Sequence, residues 1–300
     1  RESMLVWNNF GLAVAAGVVL IGTLYPLIVE AVGGGLISVG PPFFNLTVGP
    51  LLGALFLLLP FGPMLAWRSG DFGAAAKRLA PAALLALLTL AVALALTHWR
   101  VYAAIGLALG VWLIAGGLIY LGFRLTRGEG RVSAKIALLP LAVWSMSLAH
   151  IGAGVLTLGA IAETAFRAEQ TVALAPGQGV TFAGRRITLL EVGDVEGPNY
   201  TATRARFRID RGDNTNLLNA ERRYFMTAPA PTTEVGILSG FDGDLYLALG
   251  EALRGSAPQA WGVRLYFNPL VQLIFLGAIM MAMGGILSLL ALSRRKRIAP

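Results

Sequence analysis

Few side chains in this sequence could perform redox or nucleophilic chemistry. Its 300 residues include two histidines and no cysteine. Disulfides, thiolate nucleophiles and iron–sulfur ligation are therefore excluded, and two histidines far apart cannot complete a zinc site of the Cys/His type. His150 stands in "SLAHIGAGVLTLG", residues 147–159, inside a long apolar segment. An ionisable side chain at membrane depth is costly and normally faces the bundle interior. Helical spacing brings Met146, Ser147, Ala153, Gly154 and Thr157 to its side. This face of mostly small residues has two readings. One is tight helix packing, with His150 hydrogen-bonded across an interface. The other is room for a flat porphyrin with the imidazole on its iron. Spacing leaves both open, and the second requires another axial ligand. His98 lies at the outer end of a different span, too far along the membrane normal, so a partner histidine would come from beyond this sequence.

Other stretches carry weaker chemistry. His98, Trp99, Arg100 and Tyr102 in "THWRVY" form an interfacial belt that anchors a helix end; alternatively, His98 or Arg100 receives an anionic group such as a haem propionate. In "SVGPPFFN", Pro41, Pro42 and Phe43 either begin a helix at the interface or wall a cleft outside the membrane. In "ERRYF", Arg222 and Arg223 beside two aromatics suit propionates or acidic peptides, or else mark a solvated edge strand. Met280, Met281 and Met283 read as adaptable apolar packing.

The elements that must position these residues are mostly membrane spans. Hydrophobic residues make up 56% of the chain, charged ones 13%, and mean hydropathy is +0.69. Six segments can cross a bilayer, which takes about 20 apolar residues each: 6–29, 43–66, 79–97, 101–123, 136–161 and 269–292. Between the fifth and sixth, residues 164–266 hold most of the acidic and nearly half of the basic residues. Alternation in "RRITLLEV" and "TATRARFRI", with turn signals "EGPN" and "DRGDN", marks antiparallel strands. The predicted fold is a polytopic α-helical membrane protein with an inserted antiparallel β domain, a small barrel or sandwich, OB-like in one version. Its division is five spans in 1–163, the β domain in 164–266, and the last span with a basic tail in 267–300.

Basic residues cluster in alternate short loops: Arg68, Lys77 and Arg78; Arg124, Arg127, Arg131 and Lys135; and the tail "SRRKR". The opposite loops carry only Glu30 and Arg100. The positive-inside rule then puts both termini in the cytoplasm and the β domain in the periplasm of a bacterial inner membrane. The same bias accounts for the net charge of +8, so no nucleic-acid partner is implied.

Several ordered stretches resemble one family. "NNFGLAVAAGVVLIGTLYPL" followed by "ISVGPPFFN", then "LAHIGAGVLTLG", then "GPNYTATRARF", "NAERRYF", "TEVGI", "DLYLALGE" and "WGVRLYFNP" are similar to the C-terminal half of the CcmF-type subunit of the bacterial cytochrome c haem lyase. The family's tryptophan-rich haem-handling motif, its flanking periplasmic histidines and its first transmembrane histidine have no counterpart here, so the chain is expected to be part of something larger. "NPLVQLIFLG" also departs from the aromatic, basic run that usually enters the family's last span. The resemblance implies that His150 is an axial ligand of a bound haem b, paired with a histidine from the missing N-terminal half, with Ser147, Gly154 and Thr157 facing the porphyrin. It implies an enzyme, a haem lyase attaching substrate haem to Cys-x-x-Cys-His of apocytochrome c, with haem b passing electrons from quinol. It implies as partners a periplasmic haem chaperone and the thiol-reducing and apocytochrome-presenting subunits of the maturation complex. The reading from another class is a non-catalytic scaffold or transporter subunit with an extracytoplasmic β domain.

Overall fold

A computed structural model describes residues 2–65, 70–96, 100–126, 132–227, 230–253, 255 and 258–298. The chain forms two compact units, one of residues 1–161 with 273–300 and the other Ala162–Gln272.

The first unit is helical: α1 (Glu2–Ala31), α2 (Pro41–Leu58), α3 (Phe61–Met64), α4 (Phe72–Leu96), α5 (Val101–Thr126), α6 (Val132–Leu138), α7 (Leu141–Phe166) and α8 (Gln272–Ile298). Among the described residues, six stretches are long and apolar enough to cross a membrane: Val6–Ala31, Pro41–Met64, Phe72–Leu96, Val101–Thr126, Leu141–Phe166 and Gln272–Ser293. Their ends depart from the sequence expectation for local reasons. The third begins at Phe72 because Asp71 caps it, its Oδ1 accepting from the Ala74 N–H at 3.0 Å, which satisfies one of the orphan donors of a first turn. The fifth does not run 136–161. Proline disfavours helix at the residue before it, and the chain breaks into α6 and α7 around Pro140. The second is not continuous either. Pro60 has no N–H to extend the ladder, and the helix restarts as α3. The Trp112 indole N–H donates to the Leu57 carbonyl beside that break at 3.1 Å.

α5 is the most enclosed helix, burying Ala104, Gly106, Gly110, Trp112, Leu113, Gly116, Gly117 and Tyr120. α1, α4 and α8 instead present Leu20, Ile21, Leu84, Leu87, Phe275 and Leu289 outward. Apolar residues all round a helix suit hydrocarbon surroundings rather than water.

The second unit is an antiparallel sandwich of β1 (Ala168–Leu174), β2 (Gly179–Phe182), β3 (Arg185–Glu196), β4 (Tyr200–Arg211), β5 (Asn214–Phe225), β6 (Thr232–Glu234), β7 (Gly236–Leu238), β8 (Gly243–Ala252) and β9 (Trp261–Pro269). One sheet has the order β1-β9-β8-β7 and the other β2-β3-β4-β5-β6. Of the expected architectures, the sandwich is the one observed. Alternation along β4 sends Ala205, Phe207 and Ile209 inward and Arg204, Arg206 and Arg208 outward, as a period of two requires. Phe207, Ile187, Leu189, Leu245, Leu247, Val263 and Leu265 are fully buried between the sheets. The β4–β5 hairpin turns through Gly212 and Asp213, with Arg211 paired to Asn214. Gly212 has φ +55° there, the left-handed conformation that a two-residue turn favours.

Candidate functional site

His150 lies on α7 where that helix passes α5 and the broken segment of α2 and α3. Its Nδ1 is 2.8 Å from the Met146 carbonyl one turn back. A carbonyl can only accept, so Nδ1 carries the proton. The other nitrogen, Nε2, then holds the lone pair, the arrangement that fixes a ligating histidine's tautomer and ring plane. His150 remains partly exposed. Its inner flank meets a cavity of about 10 Å³ lined by Pro60, Pro63, Gly116, Gly117, Tyr120, Met146 and Ser147.

The small residues expected to make room for a porphyrin do different work. Gly154 is pressed against α5: a methyl group there would lie 2.7 Å from the Gly110 carbonyl oxygen and 2.7 Å from Ile114 Cγ1. Gly117 on α5 is closed in the same way by Ile151, and Gly110 by Leu158. The face expected to lie open is therefore filled by α5. Thr157 is buried and its hydroxyl donates to the Ala153 carbonyl at 2.7 Å. Ser147 is buried and lines the cavity with His150. On the other side of α7, Gly152 meets the Gly277 carbonyl and Met280 of α8. Met280 thus serves helix packing, while Met281 and Met283 are exposed. Sequence reasoning did not pick out Tyr120, Gly116 or Pro60 as neighbours of His150; the prolines of "LPFGPM" were the available signal.

The remaining residues lie elsewhere. His98 falls outside the described residues, and Arg100 is exposed immediately before α5. Pro41 and Pro42 occupy the first positions of α2, where a missing N–H costs nothing. Phe43 packs edge-on to Phe44, ring centres 5.2 Å apart, and both reach the space over Gly22 of α1.

Arg222 and Arg223 are not on a solvated edge. β6 pairs with β5 at Glu221, Arg222 and Arg223, so this part of β5 is flanked on both sides. Arg222 donates to Glu251 at 2.8 Å. Arg223 donates to Glu221 at 2.8 Å and lies 4.6 Å from the centre of the Tyr200 ring. Arg204 donates to the other oxygen of Glu221 at 2.6 Å. Burial pushes the Glu221 carboxyl up, but hydrogen bonds from Arg223 and Arg204 outweigh it and hold the group below its ordinary value. These arginines are committed to ion pairs. No group of three or more His, Cys, Asp or Glu residues suited to a metal ion occurs among the described residues.

Comparison with known proteins bears on both units. Residues 165–269 match the family described as the CcmF C-terminal β-sandwich. The cytochrome c-type biogenesis protein CycK of Rhizobium meliloti is 40% identical over 96% of this chain and 43% of its own length. The corresponding figures for CcmF of Pseudomonas fluorescens are 36%, 99% and 44%, and for CcmF of Escherichia coli they are 36%, 100% and 45%. A solved structure of the cytochrome c heme lyase CcmF superposes with a TM-score of 0.68 at 23% identity, over 96% of this chain and 45% of that one, which shows a common fold. The chain is related along nearly its whole length to the C-terminal part of CcmF-type cytochrome c biogenesis proteins, and it spans less than half the length of these relatives.

Proposed function

We propose that this chain is the C-terminal part of a bacterial inner-membrane haem lyase subunit in cytochrome c maturation, and that His150 is one axial ligand of a resident b-type haem. The observation that carries the reading is the His150 ring itself: Nδ1–H is tied to the Met146 carbonyl, leaving Nε2 as the coordinating atom. The relatives are cytochrome c-type biogenesis proteins, which suggests the process. The residues fit such a haem as half a site. The ligand atom suits iron, but a cavity of about 10 Å³ holds no porphyrin. His150 would hold such a haem through its free nitrogen, with a second histidine from the rest of the protein.

When bound between two imidazoles, such a haem has no open iron position and supplies electron transfer, here from quinol toward the substrate haem. The attached product needs thioether bonds, each formed by adding an apocytochrome thiol across a vinyl group of the substrate haem. The attacking sulfur is the apocytochrome's and the addition is redox-neutral, the electrons serving only to keep the substrate haem iron reduced. The chain therefore needs no nucleophile of its own, in keeping with its lack of cysteine. Its own residues would hold the ligand nitrogen in place: the Met146 carbonyl fixes the ring, and the α5–α7 glycine contact fixes the helix that carries it. The loop charges support a periplasmic β-sandwich, which would face apocytochrome c, the haem chaperone and the thiol-reducing subunits.

The test is His150→Ala in the full-length protein. Purified variant should lose the b-type absorbance that wild type carries, with the β-sandwich still folded. An unaltered bis-imidazole spectrum would refute the assignment. Wild-type protein that never copurifies with haem would favour a non-catalytic scaffold instead.

A further inference from the structure

Hydroxyl groups within the membrane helices mostly satisfy themselves. Thr23, Thr47, Thr89 and Thr157 each donate to a carbonyl one turn back, at 2.9, 2.7, 2.8 and 2.7 Å. That local bond is the usual resort of a hydroxyl on a helix with no water nearby. Ser147 departs from the pattern. It is 3% exposed, and among the described residues its Oγ has no hydrogen-bond partner. A buried hydroxyl left unbonded costs about 1–3 kcal/mol, so such a group calls for an explanation.

The cavity beside it supplies one. Ser147, Tyr120 and His150 share the lining, closed by Pro60, Pro63, Gly116 and Gly117. Tyr120, at 8% exposure, is a second hydroxyl-bearing residue lining the same small space. The volume of about 10 Å³ is close to the threshold of roughly 10–15 Å³ at which one water fits, and an internal water also needs two or more polar partners. An apolar void of this size would stay dry, but this one has two hydroxyl-bearing residues and an imidazole around it. Gly116 packs against Pro60 and Gly117 against Ile151, so the helices close tightly around this small space.

We propose that this cavity is a one-water site, with the water bonded to the Ser147 hydroxyl and bridged to Tyr120 at the flank of His150. Ser147 forgoes the backbone bond its neighbours make because the water is the better partner. The Nδ1 of His150 is already committed to Met146, so the water hydrates the pocket without displacing that bond. The site belongs to the helices themselves and does not depend on whether His150 carries a haem.

A double-variant cycle in the full-length protein tests this. Ser147→Ala, Tyr120→Phe and the pair are compared by thermal unfolding in one detergent. Each single variant should lower the midpoint by a few degrees, since each deprives the water of one partner. The double variant should fall no further than the worse single, because both hydroxyls serve the same water. Ser147→Ala melting at or above wild type would overturn the proposal, being the mark of a dry, unbonded hydroxyl. Additive losses would overturn it too, showing that the two hydroxyls share nothing. Because unfolding is the readout, a protein that fails to bind haem leaves the outcome unaffected.

Discussion

Gly154→Ala is a small change with a large expected effect. The added methyl would stand 2.7 Å from the Gly110 carbonyl oxygen, 2.7 Å from Ile114 Cγ1 and 3.0 Å from the Ile114 nitrogen. The isoleucine side chain can turn aside, but the two backbone atoms cannot. The first of these distances is about 0.7 Å short of the 3.4 Å at which ordinary contact begins, so α5 and α7 must part by a comparable amount. Overpacking of this kind costs about 1–3 kcal/mol, and the upper half of that range is expected where the obstacle is backbone. His150 sits one turn earlier on the same helix and moves with it. In the full-length protein, the thermal midpoint should drop by several degrees, with a weakened or shifted b-type absorbance where haem is bound. Gly122→Ala on α5 is the control, since nothing lies within 4 Å of its added methyl. There the change should be neutral or stabilising by up to about 1 kcal/mol. A Gly154→Ala protein that melts with wild type would refute the tight α5–α7 seam, and with it the claim that α5, rather than a porphyrin, fills this face.

Two further expectations concern the β-sandwich. Arg185 is 4% exposed, donates to both Asp242 oxygens at 3.0 and 2.8 Å and to the Ala183 carbonyl at 2.9 Å, and lies over the Phe267 ring. Arg185→Ala should destabilise the unit by about 1–3 kcal/mol, read by denaturant titration of the protein, with Arg211 limiting the loss by still holding Asp242. The unit should also weaken in acid. Burial raises the Asp242 carboxyl, but Arg211 and Arg185 outweigh it and hold it below its ordinary 3.8; Glu221 is likewise held below 4.5. Groups with depressed folded values contribute stability that is present above the unfolded values and lost as pH falls through the folded ones. Melting from pH 7 to 3 should show stability falling once pH drops below about 4.5; a midpoint that rises on acidification would contradict the ion-pair account.

The six spans were legible because crossing a bilayer asks only for length and apolarity, and the β-sandwich because residues 204–209 alternate cleanly between arginine and apolar side chains. Their limits were not. Helix ends depend on single residues acting locally: Asp71 capping α4, Pro60 breaking α2, Pro140 separating α6 from α7. Hydropathy averages over such positions. Strand order was out of reach because it depends on which edges find partners. "ERRYF" looked like an edge because β6, which covers it, is only Thr232–Glu234, too short to declare itself in the sequence.

The face around His150 failed in a more instructive way. A glycine in a helix says that something comes close, not what comes close. Gly152 and Gly154, two residues apart, admit different neighbours, α8 for one and α5 for the other. Ser147 admits neither and turns to the cavity. Of the small residues on the side of His150, Gly154 meets α5 and Ser147 the cavity, contacts assigned only by helices far away in the chain. The histidine was different. Its bond to Met146 runs within α7, so the orientation of its ring is a local property. The tie between ring and backbone therefore depends on α7 alone, while the shape of the space around it depends on helices distant in the chain.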